Sequence, residues 1–268
     1  MELNSTNKKP GLLYSCYAAT SRIGEQFIPE HVFSHVISGS LTIFDGNETH
    51  VFKGGDFSFG KRNHLAKFSK QPPAEGGEFQ SISIYLDQHI LREISKEQGY
   101  ITSKEIHKTP VILLKPETLY QKYVDSLIPY INLSGSIDEE LLSVKIKEAI
   151  LLMIKLNPEL KDILFDFNEP GKIDLEAYMN KNFYFNVEAK RFAFLTGRSL
   201  ATFKRDFKKI FNTSPHRWLQ QRRLKEAYYL IKEKGKKASE VYLEVGFEDL
   251  SHFSFAFKNA FGISPSRI

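Results

Sequence analysis

The chain has 268 residues, ordinary hydrophobic content and a net charge of +5, enough for one or two domains that each bury a core. No apolar run approaches the roughly eighteen residues of a membrane span, and the start, MELNSTNKKP, has no apolar signal segment. One cysteine, Cys16, excludes an internal disulfide and a Cys-rich zinc site; its apolar surroundings (LLYSCYAA) suggest a buried thiol. A cytoplasmic location and no membrane partner are expected.

The first third has a period near two. His31–Ile37, Leu41–Phe44, Thr49–Phe52, Asp56–Phe59 and Phe79–Leu86 are short apolar or alternating runs. Glycine turns at Ser38-Gly39-Ser40, Asp45-Gly46-Asn47 and Lys53-Gly54-Gly55 separate them, which argues for a β-barrel or jelly roll. The barrel is placed at residues 1–110. His31 and His35 would lie about 13 Å apart in one strand at roughly 3.3 Å per residue. One metal ion, with bonds near ~2 Å, cannot bridge them. Both read as ordinary strand residues.

A helical segment follows at 111–167. Pro116–Ile131 and Asp138–Leu156 are apolar at spacings of three and four. Leu141, Val144, Lys145, Glu148, Leu151 and Leu152 fit one amphipathic helix, while Ile146, Ile150, Met153 and Ile154 exceed one face's need. Surplus apolar surface suggests a homodimer, with Leu141, Val144, Leu151 and Ile154 as candidate dimerisation residues. The linker is placed at 168–172, around the polar turn Asn168-Glu169-Pro170-Gly171.

Charge changes sign there. Residues 171–268 hold 19 Lys and Arg against 10 Asp and Glu, or +9; residues 1–170 hold 18 against 22, or −4. A basic module joined to an acidic one points to a nucleic-acid-binding half. The run Lys232–Lys237 (KEKGKK) reads equally well as a solvated loop or a phosphate contact.

That basic module, placed at 173–268, contains one helix twice. Leu200–Pro215 (LATFKRDFKKIFNTSP) and Leu250–Pro265 (LSHFSFAFKNAFGISP) both fit Leu-x-x-Phe-x-x-x-Phe-Lys-x-x-Phe-x-x-Ser-Pro. At 100° per residue Leu200, Phe203, Phe207, Ile210 and Phe211 share a face, as do Leu250, Phe253, Phe257, Ala260 and Phe261. These stripes are expected to be core. A short helix and a glycine turn precede each copy. Val187–Leu195 leads into Thr196-Gly197-Arg198-Ser199, with Ser199 as N-cap; Ala238–Val245 leads into Gly246-Phe247-Glu248-Asp249, with Asp249 as cap. Helix, turn and second helix is the helix-turn-helix plan.

Residues from about Ile173 onward resemble the DNA-binding domain of AraC/XylS-type transcription regulators. The resemblance is carried by Val245–Asp249, His252-Phe253, Phe257-Lys258 and Gly262–Pro265, and in the first copy by Ser199, Phe203, Arg205, Phe207-Lys208 and Ser214-Pro215. Trp218–Lys232, with Arg223–Ala227, matches the family's linking helix. The resemblance implies two helix-turn-helix units reading double-stranded DNA in successive major grooves, about 34 Å apart. The fold class it implies has two domains, a cupin-like N-terminal β-barrel with following helices and an all-α C-terminal double helix-turn-helix.

Carried over by position, the candidate DNA-binding residues are Arg198, Ser199, Ala201, Lys204, Arg205 and Lys208 in the first unit. Those of the second are Leu250, Ser251, His252, Ser254, Phe255 and Lys258. Arg205 suits a guanine edge and Lys208 a phosphate. Phe255 departs from the arginine or lysine common in the family: it cannot hydrogen-bond a base, but fits a thymine methyl or a sugar. The first unit is therefore expected to carry most specificity, and the second to clamp the backbone through His252, Lys258 and helix N-terminal N–H groups. Tyr242, where the family usually has a small residue, is expected to alter how its short helix packs.

Residues 25–86 resemble the cupin-like sensor domains of the same family, whose effector is a small molecule or a regulatory protein. Metal cupins place ligands where this chain has Gln26, Ile28 and Val32; only His64 falls near a ligand position. No metal, cofactor or catalytic constellation is expected. The resemblance favours activation of transcription, through contact with RNA polymerase, over repression, a choice the residues themselves leave open; a non-specific nucleic-acid-binding protein is the alternative.

Overall fold

The computed structural model describes residues 4–9, 11–22, 26–100, 109–132 and 138–268; Glu25, where the sensor-like stretch begins, lies outside them. The chain divides into two compact units, Met1–Asn168 and Glu169–Ile268.

The first unit opens with strands β1 (Asn4–Lys9), β2 (Leu12–Tyr17), β3 (Phe27–Ile28), β4 (His31–Ser38), β5 (Ser40–Phe44) and β6 (Thr49–Lys53). Strands β7 (Phe57–Gly60), β8 (His64–Leu65), β9 (Lys67–Gln71) and β10 (Phe79–Leu86) follow. Then come α1 (Gln88–Gln98), β11 (Val111–Leu114), α2 (Thr118–Asn132), α3 (Glu139–Leu156), a 3-10 turn at Pro158–Leu160 and α4 (Lys161–Leu164). A six-stranded sheet runs β1-β2-β10-β4-β7-β11, a three-stranded one β6-β5-β9, and β3 pairs with β8.

The large sheet is covered on both faces. On one, Phe33, Phe59, Ile82, Ile84 and Leu86 pack with Leu91, Ile94, Tyr120, Leu127, Ile146, Ile150 and Met153 of the helices. On the other, Tyr17, Val36, Phe79 and Val111 meet Leu41, Ile43 and Phe52 of the small sheet. Two-sided burial explains why Leu12–Tyr17 is apolar at odd and even positions and carried no alternating signal. It also moves a boundary. Val111–Leu114 pairs with Phe57–Gly60, so the sheet extends past residue 110 into the segment expected to be helical. Helix α1 went unread because its buried stripe is only Ile90, Leu91 and Ile94; the Asp87 cap and left-handed Gly99 delimit it. Cys16 is half-buried rather than buried, its thiol donating to Glu78 Oε2 at 2.9 Å.

Helix α3 buries Leu142, Ile146, Ala149, Ile150 and Met153. Leu141, Val144 and Leu151 are exposed, whereas Ile154 packs against the core. The surplus residues thus face the unit's own interior, and the free stripe lies on the opposite side. Ile154 is corrected to a core-side position, since it stands one turn beyond the fully buried Ile150 on the same face of the helix.

His31 is fully buried, stacked 5.4 Å from Phe59, with Nδ1 accepting the Arg62 backbone N–H at 3.1 Å. Burial first, then the nearby Arg62, Lys61 and His64, holds it near 3 instead of the ordinary 6.5. Burial likewise holds His64 near 4. The folded state refuses protons that the unfolded chain accepts. Stability is therefore full above about pH 6.5 and is lost as pH falls toward the folded values. At pH 5 each histidine is expected to cost on the order of 2 kcal/mol. Urea titrations at pH 7 and pH 5 check this. His31→Asn should remove part of the difference, and a midpoint unchanged between the two pH values would contradict it. The Arg62 guanidinium donates to the carbonyls of Asp166 (3.0 Å) and Asn168 (2.9 Å), securing the end of this unit.

The second unit is all helical: α5 (Leu175–Asn182), α6 (Ala189–Leu195), α7 (Leu200–Phe211), α8 (Pro215–Lys232), α9 (Ala238–Glu244) and α10 (Leu250–Phe261), with a final 3-10 turn at Pro265–Arg267. A sheet-rich unit followed by helices, then an all-helical unit, is the two-domain class expected from the sequence. No described helix is long and apolar enough to cross a membrane.

Candidate nucleic-acid interface

Each repeat folds as a helix-turn-helix. In the first, α6 ends at the buried Thr196, whose hydroxyl donates to Phe192 O at 2.8 Å. Gly197 follows at φ +63; a Cβ there would stand 2.3 Å from the Gly171 carbonyl carbon, so only glycine fits. Ser199 Oγ accepts the Thr202 N–H, capping α7. In the second, Gly246 turns at φ +99, the Phe247 N–H bonds Tyr242 O at 2.8 Å, and Asp249 accepts the His252 N–H to cap α10. Tyr242 is half-buried at the edge of this core, and the turn keeps its form around it.

Phe203 and Phe207 are buried in the first copy, Phe253 and Phe257 in the second, with Phe211 and Phe261 half-buried. The five-residue stripes are too wide. Leu200 (40 % exposed) and Ile210 (41 %) have the right angle but lie at the ends of α7, beyond its neighbours. Leu250 and Ala260 are likewise exposed. Both reading helices rest on α8: Phe207 packs against Trp218 at 5.7 Å, and Phe257 against Tyr228 at 6.2 Å. Those contacts are ten residues apart, about 15 Å along a helix. One helix thus carries both heads.

The outward face of α7 holds Ala201, Lys204, Arg205 and Lys208, all exposed, with the Arg205 side chain 66 % exposed. That of α10 holds Ser251, His252, Phe255 and Lys258, also exposed, with Ser254 half-buried. His252 leans its ring edge-on to Phe247 at 5.8 Å. Arg198 does not join this face. Its side chain is 7 % exposed; it bonds Asp206 Oδ2 at 3.2 Å and donates to Ile173 O (2.9 Å) and Thr196 O (2.7 Å). It locks the turn, and its assignment as a DNA contact is withdrawn: a guanidinium with three internal acceptors has little left to offer phosphate. Ser199 is similarly committed as a cap.

The sequence reading left Arg223 without a role. This α8 residue is buried and donates to Phe183 O (2.8 Å), Phe185 O (2.7 Å) and Gly246 O (3.1 Å). Asn186 Nδ2 also donates to Glu248 Oε1 at 2.7 Å. Both links join the segment ahead of α6 to the turn of the second unit, so they set one head relative to the other. The available signal was a single arginine on the apolar stripe Leu219, Arg223, Ala227, Leu230. Among the described residues no group of three or more His, Cys, Asp or Glu is placed to hold a metal ion; His35 stacks on Phe57 at 4.2 Å.

Family models match both parts of the chain: a helix-turn-helix domain over residues 192–268 and the ExsA N-terminal regulatory domain over residues 31–163. The chain is 27 % identical over 123 residues to the HTH-type transcriptional regulator ExsA of Pseudomonas aeruginosa, covering 45 % of this chain and 44 % of that one. It is 22 % identical over 242 residues to the virulence regulon transcriptional activator VirF of Yersinia enterocolitica, covering 87 % and 86 %. Among solved structures it is similar to ToxT of Vibrio cholerae, with TM-score 0.44 and 14 % identity over 96 % of this chain and 97 % of that one. Two matched helix-turn-helix units behind a regulatory domain, in a chain whose relatives regulate transcription, place this protein in the AraC/XylS-type family of transcription regulators.

Proposed function

We propose that this regulator is a sequence-specific activator whose first unit receives the signal and whose second reads double-stranded DNA. The observation that carries this is the exposed cationic face of α7, where Arg205, Lys204 and Lys208 stand clear of the core on a capped and rigidly seated helix. Arg205 bonds a guanine edge, Lys204 supports it, and Lys208 and Lys258 meet phosphate. Ala201, Leu250, Ser251, His252, Ser254 and Phe255 complete the facing surface. Two copies pair through the exposed α3 stripe of Leu141, Val144 and Leu151, so four heads meet the operator. A small-molecule or protein effector at the first unit biases how they are presented, and bound activator contacts RNA polymerase. A chain acting on DNA belongs in the bacterial cytoplasm.

Selection of bound duplexes from a random pool by the full chain, at physiological salt, tests this. A motif across two major grooves, repeated at one spacing, is the expected result; the repeat reports the dimer. Equal binding to all sequences, falling with salt alike, would leave only a non-specific binder. Arg205→Ala is expected to cost about 1–3 kcal/mol on the selected site and relax one base position. Uniform weakening on every sequence would make Arg205 a phosphate contact.

A further inference from the structure

The fifty-residue repeat puts Phe255 where the first head has Arg205, and Ser254 where it has Lys204. Phe255 is 68 % exposed, more than any other large hydrophobic side chain among the described residues. It is not a core residue out of place. Phe253 and Phe257, two residues to either side, are fully buried, and Phe255 points away from both. Its neighbours on the outer face are Ser251 and His252 one turn before and Lys258 and Asn259 one turn after, with the half-buried Ser254 beside it. The face is therefore a phenyl ring set among neutral hydrogen-bonding groups, Ser251, His252 and Asn259, with a single lysine at its far end.

We propose that the second head reads thymine, with Phe255 seated on a C5-methyl group, so the two heads of one chain recognise different base chemistries. This rests on the proposed DNA-reading function. The major groove offers hydrogen-bond donors and acceptors at every base pair, and only one apolar group, the thymine methyl. A phenyl ring over the cytosine amino group or guanine O6 removes water from a polar atom and returns no bond. Over a thymine methyl it buries carbon against carbon. Ser251 and Ser254 donate or accept, so they tolerate either partner beside it. The operator is then asymmetric: guanine under α7, and thymine under α10 about one helical turn away.

Deoxyuridine gives the test, since it differs from thymidine only by that methyl. The full chain is titrated against its selected duplex, with thymines of the second segment replaced one at a time. At one position uracil is expected to weaken binding about fourfold, as loss of one buried methyl implies. Phe255→Ala should bind the thymine duplex that much more weakly and no longer distinguish thymine from uracil. Phe255→Arg should move the selected base there toward guanine. Being exposed, Phe255 can be changed without lowering the melting temperature. Uracil tolerated at every position of that segment, or Phe255→Ala weakening thymine and uracil duplexes alike, overturns the inference while leaving the DNA-reading function intact. Absence of any selected motif with the full chain instead removes the function on which it rests.

Discussion

Arg223→Ala is expected to destabilise the helical unit by about 3–5 kcal/mol and to abolish specific DNA binding at both segments together. The guanidinium is spread over three backbone carbonyls, Phe183 O, Phe185 O and Gly246 O, with Asn186 Oδ1 at 3.4 Å. Burial lowers its pKa to about 10, offset in part by the Glu248 carboxylate, so it stays protonated at neutral pH. Truncation strands those carbonyls, and each buried acceptor left unpaired costs about 1–3 kcal/mol. The site cannot relax by closing up. A Cβ on Gly246 would already lie 2.4 Å from Tyr184 O, which shows how tightly the two segments approach. Arg223→Lys keeps the charge but loses the planar fork, and an intermediate loss is expected. Urea denaturation and binding to the selected duplex are the measurements. Native stability with DNA binding lost would recast Arg223 as a DNA-facing residue. Lowered stability with only the second segment affected would mean that it holds one turn and does not join the heads.

Arg223 also shows where the sequence stops being legible. The two heads could be read because their information is local: a phenylalanine at every fourth position, a glycine at the turn, and a serine or aspartate at the cap act within one helix and its entry. The partners of Arg223 lie 23 to 40 residues away, and no period announces them. Arg198 failed for the same reason. Its position in the turn suggests DNA, but Asp206, eight residues on, takes its side chain inward. In α3 the period was legible and the direction was not. Apolar residues occupy both sides of that helix, and which side is core depends on the sheet it packs against. Strand β11 is four residues with no turn signal, and it joins the sheet only through pairing with β7.

The paired phenylalanines allow a sharper test of how narrow the buried stripe is. Phe203→Ala is expected to cost about 3–5 kcal/mol, as truncation of a buried aromatic does. Its ring is fully buried, 5.6 Å from Phe207, which in turn meets Trp218 and Phe211. Trp218 is the single tryptophan of the chain, so its fluorescence reports melting at the first head and little else. Leu200→Ala, on the same angular face, is expected to cost only about 1 kcal/mol, because a side chain 40 % exposed has less burial to give up than the fully buried Phe203. Equal losses for the two variants would mean that the whole five-residue stripe is buried in solution and that α7 seats deeper than its packing on α8 indicates. Unequal losses, with Leu200→Ala nearer the parent, leave the end of α7 free. The matching exposure of Leu250 predicts the same for the first turn of α10.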